Sequence, residues 1–359
     1  MQFGIALSTA ADSWKVVARA EELGYRRAWF YDTQMISADP FIAMGVAAVK
    51  TVRIRLGTGV LVPSTRIAAI TANSLATLNA LAPGRIDFGV GTGFSARRAM
   101  GLGAVKLGAM ADYTNVVMGL LSGETVEDEL EGERRKLRLL NPEAGLINLK
   151  DPVGLYVSAM GPRARALTAK LGAGWITLLR GAEAAREQRA EMQSAWQAAG
   201  RRDDALDTVA FGYGAILRPG EPADSPRVIA EVGPRAATLL HRAADEALLG
   251  LPNSTPAPDW AKAAVAEYTE MIRRSEPADA RYVNNHRGHL VFVRPDERKF
   301  ISGDLIRYTS FTGTEDAVLG WMHALRAAGY REFTVCVVPG QEHVLEDWVR
   351  IMRAMGHSD

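Results

Sequence analysis

The sequence has little cysteine, no excess of charge of either sign and no long apolar run. Cys336 is the only cysteine in 359 residues, which excludes an internal disulfide framework and any Cys-rich zinc or iron–sulfur centre. Lys and Arg number 42 against 41 Asp and Glu, a net charge of +1. Nucleic-acid binding through bulk charge and a polybasic membrane anchor both require an excess of base, so neither partner is expected. The longest near-continuous apolar stretch, Phe41 to Val49, is far too short to span a bilayer. The opening MQFGIALS has no basic region ahead of an apolar segment, so no secretory leader is expected. With the single thiol pointing to a reducing compartment, the expected location is the cytoplasm. The composition is 48% hydrophobic and 23% charged, enough to bury a large core.

Hydrophobic patterning alternates strand and helix along the chain. Strands are expected at Phe3–Ser8, Arg27–Tyr31, Ile54–Val62 and Ile86–Val90. Four more are expected at Leu155–Ala159, Gly174–Leu178, Thr208–Leu217 and Glu332–Val338. Helical periods lie between them, for example Ile67–Leu81, Arg163–Leu171 and Ala182–Ala199. Eight βα units predict an α/β fold closed as a (β/α)8 TIM barrel rather than an open sheet. Two segments break the rhythm, about 122–152 after the fourth strand and about 218–312 after the seventh. The first holds six acids followed by four bases between Glu124 and Arg138, which reads as a solvated surface. The second holds helical stretches at Val228–Leu249 and Trp260–Arg274, the loop LPNSTPAPD between them, and the polar segment YVNNHRGHLVF. Both are expected to be insertions on barrel loops of one domain spanning 1–359.

In such barrels the active site lies at the C-terminal ends of the strands. Here those ends are Ser8, Asp32-Thr33-Gln34, Gly59-Val60, the run Gly91-Thr92-Gly93-Phe94-Ser95, Ser158-Ala159-Met160-Gly161, Arg180-Gly181 and Pro339-Gly340-Gln341. A metal hydrolase would place His and carboxylate ligands there, and a glycosidase a pair of carboxylates; neither set is present. GVGTGFS is not a dinucleotide fingerprint, because Ala96 stands at the last glycine position and the run follows the fourth strand. SAMGPRARAL leads small residues and a proline straight into a helix. That helix start can take a phosphate on its free N–H groups, with Arg163 or Arg165 adding charge, or it can be an ordinary start with proline in the first turn. The ends suit a planar, phosphate-bearing ligand approached closely by backbone.

Taken in order, AWFYDTQ, RIRLGTGVLVP, ATLNALAPGRIDFGVGTG, YVSAMGP and GYREFTVCVVPG resemble the bacterial luciferase-like superfamily. The resemblance is to its methylenetetrahydromethanopterin-reductase-like branch, and is weakest in 122–152 and 218–312. It implies a hydride exchange between the deazaflavin coenzyme F-420 and a small organic substrate. Sister branches imply an alternative, an FMN-dependent monooxygenase fed by a separate flavin reductase; degenerate relatives imply a third, a flavin-binding protein without turnover. By resemblance, Gly59-Val60 falls at a bulge with a non-proline cis peptide against the ring, Asp32 lies near the ring, and Thr92 and Ser95 fall where the fourth loop meets the cofactor. Ser158, Met160 and Gly161 fall on the phosphate turn, and Thr177 lies under the cofactor tail. The His that often follows the second strand in FMN monooxygenases is absent from Asp32-Thr33-Gln34.

Asp32 is the first candidate for proton transfer, the alternative being a hydrogen bond to the ring or backbone. His286 and His289 are the second candidates, the alternative being two polar histidines on a surface segment. Their H-x-x-H spacing suggests metal, but no third ligand is evident and no metal is expected. Cys336 sits inside an apolar strand and is expected to be buried and inert. A homodimer is expected, since the second helix, DPFIAMGVAAV, is apolar on more than one face.

Overall fold

A computed structural model of the chain describes residues 1–251 and 256–356; part of the LPNSTPAPD loop therefore lies outside the described residues. Ten strands are present: β1 (Gln2–Leu7), β2 (Arg27–Phe30), β3 (Arg55–Thr58), β4 (Ile86–Val90), β5 (Val126–Leu130), β6 (Glu133–Leu137), β7 (Gly154–Ser158), β8 (Gly174–Leu178), β9 (Thr208–Gly212) and β10 (Glu332–Val337). Eight of them close a parallel barrel in the order β1-β10-β9-β8-β7-β4-β3-β2, the expected (β/α)8 TIM barrel. Helices α1 (Ser13–Glu22), α2 (Pro40–Lys50), α3 (Ala68–Leu81), α4 (Ser95–Arg98), α5 (Leu107–Leu121), α6 (Pro162–Leu171) and α7 (Ala185–Ala198) fill the first part of the chain. The segment after β9 adds α8 (Pro226–Leu248), α9 (Lys262–Arg273), α10 (Arg281–Asn285) and α11 (Gly303–Thr309), and α12 (Glu315–Ala327) and α13 (Val344–Ala354) flank β10. Among the described residues, no helix is long and apolar enough to cross a membrane.

Two expected strands are shorter than their apolar runs. β3 ends at Thr58 because the chain leaves the ladder at Gly59, where the Gly59–Val60 peptide is cis, and touches β4 again only through Leu61 and Val90. β9 ends at Gly212, after which Ile216 bridges to Gly313 instead of a barrel strand. The charge-rich segment is a surface, as expected, but an ordered one. β5 and β6 pair as an antiparallel hairpin that sets Glu127 opposite Lys136, Asp128 opposite Arg135 and Glu129 opposite Arg134. Opposite charges across a ladder each contribute a few tenths of a kcal/mol, up to about 1.

Inside the barrel, polar and aromatic layers are stacked. At the N-terminal end Arg27 lies 3.0 Å from Asp87 and 3.0 Å from Glu332, and donates to the Tyr156 hydroxyl at 2.9 Å. Arg55 closes on both oxygens of Asp87 at 2.6 and 2.9 Å. Burial opposes the Arg27 charge, but Glu332 and Asp87 outweigh that opposition and raise its pKa. Above this layer Trp29, Tyr156 and Phe211 pack together. Gly57 is required there, since a Cβ would lie 2.6 Å from the Trp29 ring.

The long insertion does not form a core of its own. Val228, Val232, Leu240, Tyr268 and Ile306 belong to one buried cluster with the barrel-interior residues Phe211, Tyr213 and Val338. α8 thereby lies over the C-terminal end of the barrel. Removing one partner of a buried charge network leaves the others uncompensated. Arg27→Met is therefore expected to destabilise the fold by about 3 kcal/mol, read from the shift of the urea midpoint at unchanged slope. A loss below about 1 kcal/mol would mean that the layer contributes little net stability.

Candidate functional site

The residues expected to hold a cofactor lie on or just after five strands that are consecutive in the barrel, β2, β3, β4, β7 and β8. They form one rim. Gly59 and Val60 end the β3 side, and a Cβ on Gly91 would lie 2.6 Å from a Val60 methyl, so the Val60 side chain packs directly on the Gly91 backbone of the β4 loop. Thr92 is half-buried, and its carbonyl accepts the Val105 N–H at 2.8 Å. Ser158 and Gly161 are half-buried, and Met160 is exposed. Thr177 on β8 is fully buried, with its hydroxyl 3.2 Å from Gln188 Oε1.

The turn after β7 leads into α6 at Pro162, and no side chain caps the first turn of that helix. Its free N–H groups and positive dipole end face the rim. A Cβ on Gly161 would meet nothing within 4 Å, so the approach is open. A phosphate group fits here. Of the two arginines offered for it, Arg165 is buried and paired with the exposed Glu191, while Arg163 is exposed at the helix start.

Asp32 follows β2 and is buried. One carboxylate oxygen accepts the Val62 N–H at 3.0 Å and the Thr65 hydroxyl at 3.0 Å; the other lies 3.4 Å from Arg66. Arg66 also pairs with Asp39, whose carboxylate accepts the Phe41 and Ile42 N–H groups at the start of α2. Asp32 thus braces the loop that carries Val60 to Arg66. The backbone bond set out as its alternative role is present.

The two histidines are where the surface expectation fails. His286 and His289 are 3% and 1% exposed. They are buried because partners distant in sequence meet them. Ser95 Oγ lies 2.8 Å from His289 Nε2, and His289 Nδ1 lies 2.8 Å from Nδ1 of His241 on α8. His241 Nε2 in turn lies 3.1 Å from Glu297, which is held by Arg294 at 3.1 Å. His286 Nε2 meets Asp245 at 2.9 Å. Burial lowers the pKa of His241 and, more strongly, of His289, whose charged form is further opposed by His241, His286 and Arg235. Burial thus favours the neutral form of both imidazoles.

His241, Asp245 and Glu297 were not among the expected site residues. A signal for the first two exists: in LLHRAADEALL they stand four apart, on one face of an otherwise apolar helix stripe. No comparable pattern marks Glu297. Positive charge also collects at this end of the barrel. Burial lowers the Arg235 and Arg242 pKa values, and Arg180 adds to the effect on each. Tyr31 and Tyr213, 3.1 Å apart through their hydroxyls, and Cys336 line the interior below.

The sequence profile of the family described as luciferase-like monooxygenase matches residues 4–332. An F-420-dependent glucose-6-phosphate dehydrogenase of Beutenbergia cavernae is 36% identical over 140 residues, 37% of this chain and 40% of that protein. A 5,10-methylenetetrahydromethanopterin reductase of Archaeoglobus fulgidus is 26% identical over 286 residues, 76% of this chain and 84% of that protein. The chain spans about half the length or less of the glucose-6-phosphate dehydrogenases that it matches, 40%, 50% and 49% in three cases. In shape it is similar to the coenzyme F-420-dependent tetrahydromethanopterin reductase of Methanopyrus kandleri, with a TM-score of 0.70, 20% identity and 99% of each chain covered.

Burial pushes the Cys336 thiol up to about 12, so about one molecule in 10⁴ carries a thiolate at pH 8. Ellman's reagent is accordingly expected to leave Cys336 unmodified in the native protein and to titrate it fully in guanidinium. Rapid modification of the native protein would show that the barrel interior opens.

Proposed function

The chain belongs to the luciferase-like monooxygenase family, and from that membership we propose that it is an oxidoreductase exchanging a hydride between coenzyme F-420 and a small organic substrate. The observation that carries this reading is the continuous rim across β3, β4, β7 and β8, ending at the uncapped start of α6. It has the extent and chemistry of a seat for a flat ring joined to a phosphate. The names of several relatives support F-420 as the ring. When bound, F-420 supplies the carbon that accepts or releases the hydride.

The protein's own groups do the rest. The α6 N–H groups and Gly161 receive the phosphate, and Met160 and Ser158 line its approach; Thr177 lies buried beneath, with its hydroxyl on Gln188. Gly59, Val60 and Thr92 offer backbone and two methyl-bearing side chains to the ring face. Asp32 keeps that surface in place through the Val62 to Arg66 loop. A hydride leaving a C–OH carbon requires the hydroxyl proton to leave as well. Ser95 Oγ and His289 Nε2 share a proton at the rim, at 2.8 Å, and are the groups that exchange it with substrate. His286 supports His289 from the side, their ring centres 5.0 Å apart. α8 and the following segment cover the reacting atoms from water. The arginines Arg180 and Arg235 favour a substrate with an anionic group.

A titration of purified protein with F-420 and, separately, with FMN, followed by tryptophan quenching, tests the reading. Saturable binding of F-420, with FMN at least about tenfold weaker, a difference of 1.4 kcal/mol, is expected. The reverse order would overturn the proposal in favour of an FMN monooxygenase served by a separate reductase. We also propose a homodimer through α2 and the start of α3, supported by the exposed Ile42, Val49 and Ile70. Sedimentation equilibrium is expected to give twice the chain mass; a monomer at micromolar concentration would remove this assembly.

A further inference from the structure

We infer that His241, His286 and His289 form a binding site for one divalent transition-metal cation of the zinc type. This inference does not rest on the F-420 reading. The three residues come from two places, α8 and the segment after α10, and each brings a nitrogen within 4.8 Å of the others in a buried position. Their outer nitrogens are already engaged: Nε2 of His241 with Glu297 at 3.1 Å, of His286 with Asp245 at 2.9 Å and of His289 with Ser95 at 2.8 Å. This is the outer-shell arrangement that fixes the ring orientation of metal-binding histidines, with an acceptor behind each imidazole.

The engaged Nε2 atoms leave the three Nδ1 atoms as ligands. Two of these lie 2.8 Å apart, a hydrogen bond that needs one shared proton. The third, His286 Nδ1, is buried with no hydrogen-bond partner among the described residues. A buried imidazole nitrogen without a partner is destabilising, and a cation in the cluster would satisfy it. Zinc–nitrogen bonds of about 2.0–2.1 Å in a tetrahedron set neighbouring ligand atoms about 3.4 Å apart. His241 and His289 would part by about half an ångström and His286 would swing inward. The proton between the two Nδ1 atoms would pass to His289 Nε2, where Ser95 Oγ accepts it. A water or a small ligand completes the tetrahedron.

The surrounding charges select the metal. Arg98 lies 3.4 Å from Asp245 and Arg294 lies 3.1 Å from Glu297. With their carboxylates so occupied, oxygen-seeking Mg²⁺ and Ca²⁺ find no ligands, whereas Zn²⁺, Co²⁺ and Ni²⁺ accept neutral imidazole. The bound cation would pin the insertion to itself and, through Ser95, to the β4 loop.

The test uses the full-length chain without an affinity tag, dialysed against chelator and titrated with Zn²⁺ and with Co²⁺. One equivalent of metal per chain by elemental analysis, visible absorption of tetrahedral Co²⁺ and a higher melting temperature with Zn²⁺ are expected. His286→Ala is expected to abolish stoichiometric uptake. Asp245→Asn, which keeps the side-chain shape, is expected to weaken it about 10- to 100-fold. Absence of uptake by the wild-type protein, or uptake unchanged in His286→Ala, overturns the site. Should His286→Ala fail to fold, an unchanged affinity in Asp245→Asn overturns it equally.

Discussion

The hydrogen bond between Ser95 Oγ and His289 Nε2, at 2.8 Å, joins the barrel to its insertion, and the proposed proton exchange depends on it. Buried polar groups must find partners, and an imidazole in an apolar interior has two nitrogens to satisfy. That requirement extends the network outward. His289 needs His241, and His241 needs Glu297. Asn285 then donates to the His241 carbonyl at 2.8 Å and to Asp245 at 2.7 Å, and accepts from Tyr268 at 3.0 Å. A segment without a separate apolar core is thus held over the barrel mouth by a chain of polar contacts laid on top of shared hydrophobic packing.

The two ends of the barrel divide their tasks. The N-terminal end is filled by the buried ion-paired groups Arg27, Asp87 and Glu332, with the half-buried Arg55 on Asp87 and the aromatic layer of Trp29, Tyr156 and Phe211 above. The C-terminal end carries glycines, hydroxyls and an uncapped helix start, where backbone rather than side chain faces a ligand. Asp32 belongs with the scaffold: its two oxygens hold the β3 loop, which in turn carries Gly59 and Val60.

The barrel was legible in the sequence because each βα unit is a local pattern, an apolar strand followed by a helical period. Strand ends were less so. The apolar runs continue past Thr58 and Gly212, but the ladder does not, and hydropathy alone cannot separate a strand from the buried loop that extends it. The β5–β6 hairpin escaped for a different reason. Both of its faces are charged, so it lacks the apolar alternation of a half-buried strand; its signs are the Glu131-Gly132 turn, with both φ values positive, and the opposed charges on either side. The rim residues were named by resemblance, and the barrel order explains why they are neighbours. For His286 and His289 the surface alternative rests on the mostly polar run NNHRGH, and the structure removes it by burying both rings. The groups that bury them, Ser95, His241, Asp245 and Glu297, are scattered over three distant segments, and only the tertiary fold brings them together.

Hydrogen-exchange mass spectrometry with and without F-420 tests the central claim most directly, since it reads where the ligand sits without requiring a substrate. The account predicts protection of the backbone at 59–62, 91–95 and 158–165, with the N-terminal ends of the strands unchanged. Protection elsewhere in the chain, with these three segments unaffected, would contradict it.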